Sequence, residues 1–269
     1  MDFKTFLHYQ GFLETPLLWF DDDVFSLKQF KNDDFKIESH YQLEFQNRRL
    51  GKLTEAFTCH QLKQNRNIGW IAENLQIQNG KQTIGELDAL FHYKSQTIHL
   101  EIVYKFYLFD TIQTYADPLA YWIGPNRKDT LIYKLQKLKG KQLPLLLNKY
   151  CEPYLNKFNL KAENINQYVS FKAQLFFPYQ VDTIQLDSLN RSCISGFHLS
   201  FNKIETLKDF KMYMPSKLDW LIIPHNEVNW LGFDEAKLNI KKEITNQRSP
   251  MIWLKDKNNQ LKKGFITFW

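Results

Sequence analysis

Two runs between residues 84 and 107, "IGELDALFH" and "TIHLEIVYKFY", place charged side chains every second residue among apolar ones, on either side of "YKSQ". A period of two is the signature of extended backbone, so the stretch predicts strands over 84–92 and 97–107 joined as a hairpin. Glu86 and Asp88 then share one face, with Gly85, Leu87, Ala89 and Phe91 on the other. In the second strand Glu101, Val103 and Lys105 share a face, opposite Leu100, Ile102, Tyr104 and Phe106. If the strands pair, Asp88, Glu101 and Lys105 converge on one edge of a sheet face. The spacing alone is equally that of a strand with a charged side turned to water.

The flanking sequence supplies partners for this hairpin. Leu50, Leu53 and Phe57 fall on one stripe of "RRLGKLTEAFTCHQLKQN", which predicts a helix over about 47–65. The run 68–79 ends at Asn79-Gly80, a hairpin-turn pair, and predicts a further strand. Downstream, Gly124-Pro125-Asn126 reads as a turn and Asp129 as a cap for a helix carrying Leu131, Leu135 and Leu138. Lys134, Lys137 and Lys141 form a separate stripe on that helix. Beyond residue 165, "YVSFKAQLFFPY", "GFHLSF", "DWLIIP", "PMIWL" and "FITFW" read as short aromatic strands, and 233–244 as a helix. The aspartates Asp21, Asp22 and Asp23 lack the glycine and spacing of a calcium loop and read as a solvated turn. The expected organisation is an extension over 1–46, an α/β core over 47–165 and a β-rich part over 166–269.

Composition narrows the functional classes. With 269 residues, 43% of them hydrophobic, the chain can bury a sizeable core. It has no apolar run near the roughly 18 residues that span a bilayer, and its start lacks the pattern of a signal peptide, so a cytoplasmic protein without a membrane partner is expected. Cys59, Cys151 and Cys193 show neither a disulfide framework nor a zinc spacing, and no two histidines stand at zinc-binding spacing. The formal charge of +6 is compatible with a nucleic-acid partner.

Two carboxylates and a lysine at one sheet edge have a defined chemical use. Carboxylates in contact repel unless a cation lies between them, and Mg2+ is held by one or two carboxylates together with water. A lysine beside such a site orients a water or stabilises charge on a phosphoryl oxygen. The order of a helix with Glu55, a hairpin, "GELD", "HLEIVYK" and a helix resembles the PD-(D/E)XK nuclease superfamily. More closely, "GELDAL", "HLEIVYKFYL", "WIGPNRKDTLIYKLQKL" and "QLPLL" resemble a bacterial family known as domain of unknown function 1853, grouped with those nucleases.

The resemblance implies a restriction-endonuclease-like α/β core, in which a mixed four-stranded sheet is flanked by helices. It implies Mg2+, or Mn2+ in its place, held by Asp88 and Glu101, with Glu55 as an additional ligand and Lys105 as the motif lysine. Acid and lysine stand two residues apart in the superfamily's second motif; Glu101 and Lys105 are four apart. The further step shifts the groups by roughly 6 to 7 Å along a strand. Glu86 is an alternative ligand and His99 a candidate for proton transfer. Asn126, Arg127, Lys128, Lys134 and Lys137 are candidate contacts to nucleic-acid phosphates. The expected function is a metal-dependent phosphodiesterase acting on nucleic acid. Its alternative is a catalytically silent relative that binds nucleic acid or protein.

Overall fold

The computed structural model describes residues 2–32, 49–181, 183–186 and 188–269. Residues 33–46 of the expected N-terminal extension, and 47–48 of the expected helix, lie outside the described residues. In chain order, α1 (Phe3–Glu14) and α2 (Leu50–Lys63) precede β1 (Ile68–Asn79), β2 (Gln82–Tyr93) and β3 (Gln96–Phe109). Next come β4 (Trp122–Ile123), α3 (Leu131–Lys137), α4 (Glu152–Asn156), β5 (Ile165–Pro178), β6 (Ile194–Ser200) and β7 (Lys211–Tyr213). Helix α5 (Phe233–Thr245), β8 (Met251–Lys255) and β9 (Leu261–Thr267) complete the chain. Among the described residues the sheet is mixed, as expected, and has nine strands in the order β1-β2-β3-β5-β6-β9-β8-β7 with β4 on β3, so strands of the β-rich C-terminal part extend it. No helix among the described residues is long and apolar enough to cross a membrane.

The chain forms two compact units, and both are discontinuous. A hairpin unit comprises Leu17–Tyr104 and Tyr133–Lys172; a C-terminal unit comprises Met1–Pro16, Lys105–Ile132 and Ala173–Trp269. One division falls between Pro16 and Leu17, and the others inside β3, α3 and β5.

In the hairpin unit, turn chemistry sets the register. Gly80 closes β1 onto β2 at φ +59°, a conformation that costs glycine little. Lys94 and Ser95 both take the left-handed conformation between β2 and β3, the geometry of a two-residue hairpin turn that matches strand twist. Ala89, Phe91, Leu100 and Ile102 pack with Cys59 and Leu62 of α2. Leu87 and Leu90 instead join Ile77, Leu145, Leu146 and Cys151. The aspartates 21–23 lie in an exposed turn, where Asp21 pairs with Lys31.

The C-terminal unit has its own core, with Phe197, Leu199, Met212, Ile240, Ile252, Leu254 and Ile266 in contact. Two of its features differ from the sequence reading. Helix α1 forms in the N-terminal stretch, capped by Asp2, whose side chain accepts the Thr5 amide. The expected strand "DWLIIP" instead contains a 3-10 helix, Leu218–Leu221. Asp219 accounts for that turn: it is 5% exposed, and its carboxylate pairs with His8 at 2.8 Å, Ser216 at 2.7 Å and Lys4 at 3.1 Å. Burial opposes its charge, but these partners prevail and hold its pKa down at about 2. Gly11 lets α1 approach, since a Cβ there would stand 1.9 Å from the Leu221 carbonyl oxygen.

Candidate metal centre

Helix α2 and strand β2 bring three carboxylates together in the hairpin unit. One oxygen each from Glu55, Glu86 and Asp88 lies within 4.8 Å of the others. Glu55 comes from the face of α2 that turns towards β2, and Lys52 stands three residues before it, a helical neighbour. The Lys52 ammonium is 2.6 Å from Glu55 and 2.6 Å from Glu86, and it donates to Asn74 at 3.2 Å. A cation therefore already lies between two of the acids.

The local backbone explains how β2 delivers two acids to one helix. The ladder between β2 and β3 runs from Tyr93 opposite Gln96 to Ala89 opposite Leu100. At the following position the Asp88 side chain accepts the Ile102 amide at 2.8 Å, so a carboxylate takes the place of a ladder carbonyl. Strict alternation also fails here. Leu87 packs with Leu90 rather than with Ala89, a step of three residues instead of two. Glu86 and Asp88 can thus reach α2 on the same side as Ala89 and Phe91, whereas alternation would separate them.

Burial and neighbouring charges shift the titration of Asp88, Glu55 and Lys52. Burial raises the Asp88 pKa well above the ordinary carboxylate value, and the charges of Glu101 and Glu55 add to that effect; the Ile102 amide opposes it. Glu55 is raised by burial too, against the pull of Lys52. Lys52 would be lowered by its own burial, but its bonds to Glu55 and Glu86 carry it above the ordinary lysine value. Coupled shifts of this kind concentrate at functional sites, although structural ion pairs also produce them.

Glu101 is fully buried but lies outside the set of three. It accepts from Gln142 at 2.5 Å and meets His99 at 3.1 Å. Gln167 fixes the histidine tautomer: its amide reaches His99 Nδ1 at 3.1 Å, leaving Nε2 to donate to Glu101. Lys134 in turn donates to Oε1 of the Gln142 side chain at 2.7 Å. His99 and Lys134, expected in proton transfer and phosphate contact, thus form part of a network around Glu101.

The remaining candidates belong to the C-terminal unit or to the surface. The Lys105 ammonium is ion-paired with Asp129, the residue expected to cap a helix. Asn126 accepts the Ser249 amide at 2.8 Å. Arg127 grips Asp110 with two bonds, at 3.1 and 2.7 Å, and lies 4.9 Å over the Trp269 ring. Its guanidinium is thereby committed within the fold. Lys128, Lys137 and Lys141 are exposed. Sequence reasoning left Lys52 aside, although its place one helical turn before Glu55 was the available signal.

The fold and site define a mixed α/β protein that carries a cluster of hard oxygen donors between a helix and a strand. The chain belongs to the family described as Domain of unknown function (DUF1853), whose model matches residues 21–266. No curated protein and no solved structure matches the chain.

Proposed function

We propose that the protein is a divalent-metal-dependent phosphodiesterase acting on nucleic acid, with Glu55, Glu86 and Asp88 as the metal-holding carboxylates. The observation that carries this reading is the gathering of those three side chains within 4.8 Å, with burial raising the pKa of Asp88 and of Glu55. The donor set fits the group: carboxylate oxygens suit Mg2+ or Mn2+, and oxygens within 4.8 Å of one another need close by only about an ångström or two to reach the roughly 3.0–4.2 Å that ligands at about 2.1 Å from one ion span. Bound there, such an ion supplies Lewis acidity to a phosphoryl oxygen and a more acidic water.

The chain's own residues do the rest. Asp88 is fixed by the Ile102 amide, so its second oxygen keeps its orientation. Lys52 neutralises Glu55 and Glu86, and as the cation nearest these acids it would be available to stabilise charge on a phosphate bound at them. Glu101, held by His99 and Gln142, contributes a fixed negative charge that raises affinity for the cation rather than direct ligation. Exposed Lys128, Lys137 and Lys141 are available for phosphates. The free, buried Cys59, Cys151 and Cys193 suit a reducing, cytoplasmic setting.

A second reading rests on a specific observation. Lys105, the motif lysine implied by the nuclease resemblance, is paired with Asp129, and Lys52 already satisfies two acids. Such a chain would bind metal or nucleic acid without cleaving it. Incubating single-stranded, double-stranded and branched DNA and RNA with the protein in Mg2+ or Mn2+ separates the readings. The expected result is metal-dependent cleavage that falls by a factor on the order of 1,000 or more in Asp88→Ala, as for loss of an electrostatic catalyst. Equal cleavage by wild type and Asp88→Ala would sink the assignment, and metal binding without cleavage of any substrate would favour the silent relative.

A further inference from the structure

The C-terminal unit carries a half-open cleft of about 910 Å3 that the acidic cluster does not share. Pro16, Phe177, Phe197, Leu221 and Ile223 give it apolar walls beside polar ones from Thr15, Gln174 and Ser192. Lys263 of β9 also lines it. Strand β9 lies between β6 and β8, so its backbone is paired on both sides, and Lys263 is only 9% exposed.

Its lack of a partner sets it apart from the other buried charges of the unit. Asp110 has Arg127 and Tyr115, and Asp219 has His8, Ser216 and Lys4. Among the described residues, the Lys263 side chain makes no hydrogen bond and no ion pair, and its backbone is held in the ladder with Trp253. A buried cation without a close counter-ion is costly, and among the described residues the charge of Glu14 offsets that cost only in part. The cavity is where a counter-ion can enter.

The charge of the lining limits what that counter-ion is. Among the described residues its ionisable side chains are Glu14, Tyr179, Lys262 and Lys263, which sum to a single positive charge when both lysines are protonated and tyrosine is neutral. One negative charge balances it, and a dianion would meet Glu14. The apolar walls call for an apolar body behind the charge. We propose that this cavity binds a small amphipathic monocarboxylate, with its carboxylate on the Lys263 ammonium and its hydrocarbon against Phe177, Phe197 and Leu221.

Burial holds the Lys263 pKa down at about 8, with Glu14 acting in the opposite sense. An anion that pairs with the ammonium raises that value, so binding takes up protons at pH about 8. Octanoate, n-octanol and inorganic phosphate are titrated calorimetrically into the full chain in two buffers of different ionisation enthalpy. Octanoate is expected to bind with uptake of up to about half a proton, and octanol and phosphate at least roughly tenfold more weakly. Lys263→Arg, which stays protonated, keeps octanoate binding but loses the uptake; Lys263→Met weakens binding at least about tenfold. Absence of octanoate binding, binding by wild type without proton uptake, or tighter binding of phosphate overturns the proposal. The proton uptake is read on wild type alone, so a misfolded Lys263→Met leaves the test intact.

Discussion

Asp88→Asn is expected to raise the melting temperature of the metal-free protein at neutral pH and to remove all stabilisation by Mn2+. The first effect follows from the raised Asp88 pKa, which burial causes first and the Glu101 and Glu55 charges increase. An acid raised in the folded state binds protons more tightly there than in the unfolded chain. The protein therefore loses stability as pH rises from the ordinary value of 3.8 through the higher folded value, and the loss persists above both. Asparagine carries no charge to bury, and its amide oxygen can still accept the Ile102 amide. The second effect is one of mass action: at a hundredfold excess of metal over Kd the wild type gains about 2.7 kcal/mol. Thermal unfolding with EDTA and with Mn2+ measures both. A variant that melts below wild type in EDTA would show that the Asp88 charge is favourable without metal.

Arg127→Ala is expected to cost the C-terminal unit about 3–5 kcal/mol, because it leaves a buried carboxylate without its cation. Asp110 is 0% exposed and receives both ends of the guanidinium, the Tyr115 hydroxyl and the Ile112 amide. Burial opposes the Asp110 charge, but these donors outweigh it and keep its pKa below the ordinary value. Truncation also removes the cation stacked on Trp269. Denaturant unfolding measures the loss. Adding Asp110→Asn should recover part of it, since the orphaned charge disappears with the second change. A cost below about 1 kcal/mol would place the pair with ordinary surface ion pairs.

Local pattern made the central hairpins legible. The period of two in 84–107, Asn79-Gly80 and the Lys94-Ser95 turn locate β1, β2 and β3, and the Leu50, Leu53, Phe57 stripe locates α2. What the pattern missed depends on distant contacts. Leu218–Leu221 is apolar enough for a strand, yet Asp219 is claimed by His8, which is 211 residues away. The same holds at the site. Alternation predicts Asp88 and Glu101 on a common face, but one irregular step at Asp88 turns it towards Glu55 and Glu86, while Glu101 turns to Gln142 and His99. Lys105 reads as a motif lysine until the loop after β4 supplies Asp129. Residue identity indicated acidic chemistry; only the fold decided which acids meet.

Direct titration of Mn2+ into wild type and into the Glu55→Gln/Glu86→Gln double variant tests the central claim, the metal site, most closely. Wild type is predicted to bind about one ion per chain, more tightly as pH rises and protons leave Glu55 and Asp88. The double variant keeps Asp88 but loses two of the three donors, and its affinity should fall on the order of a hundredfold or more. The same stoichiometry and affinity in both proteins would contradict the assignment of Glu55, Glu86 and Asp88 as a metal site.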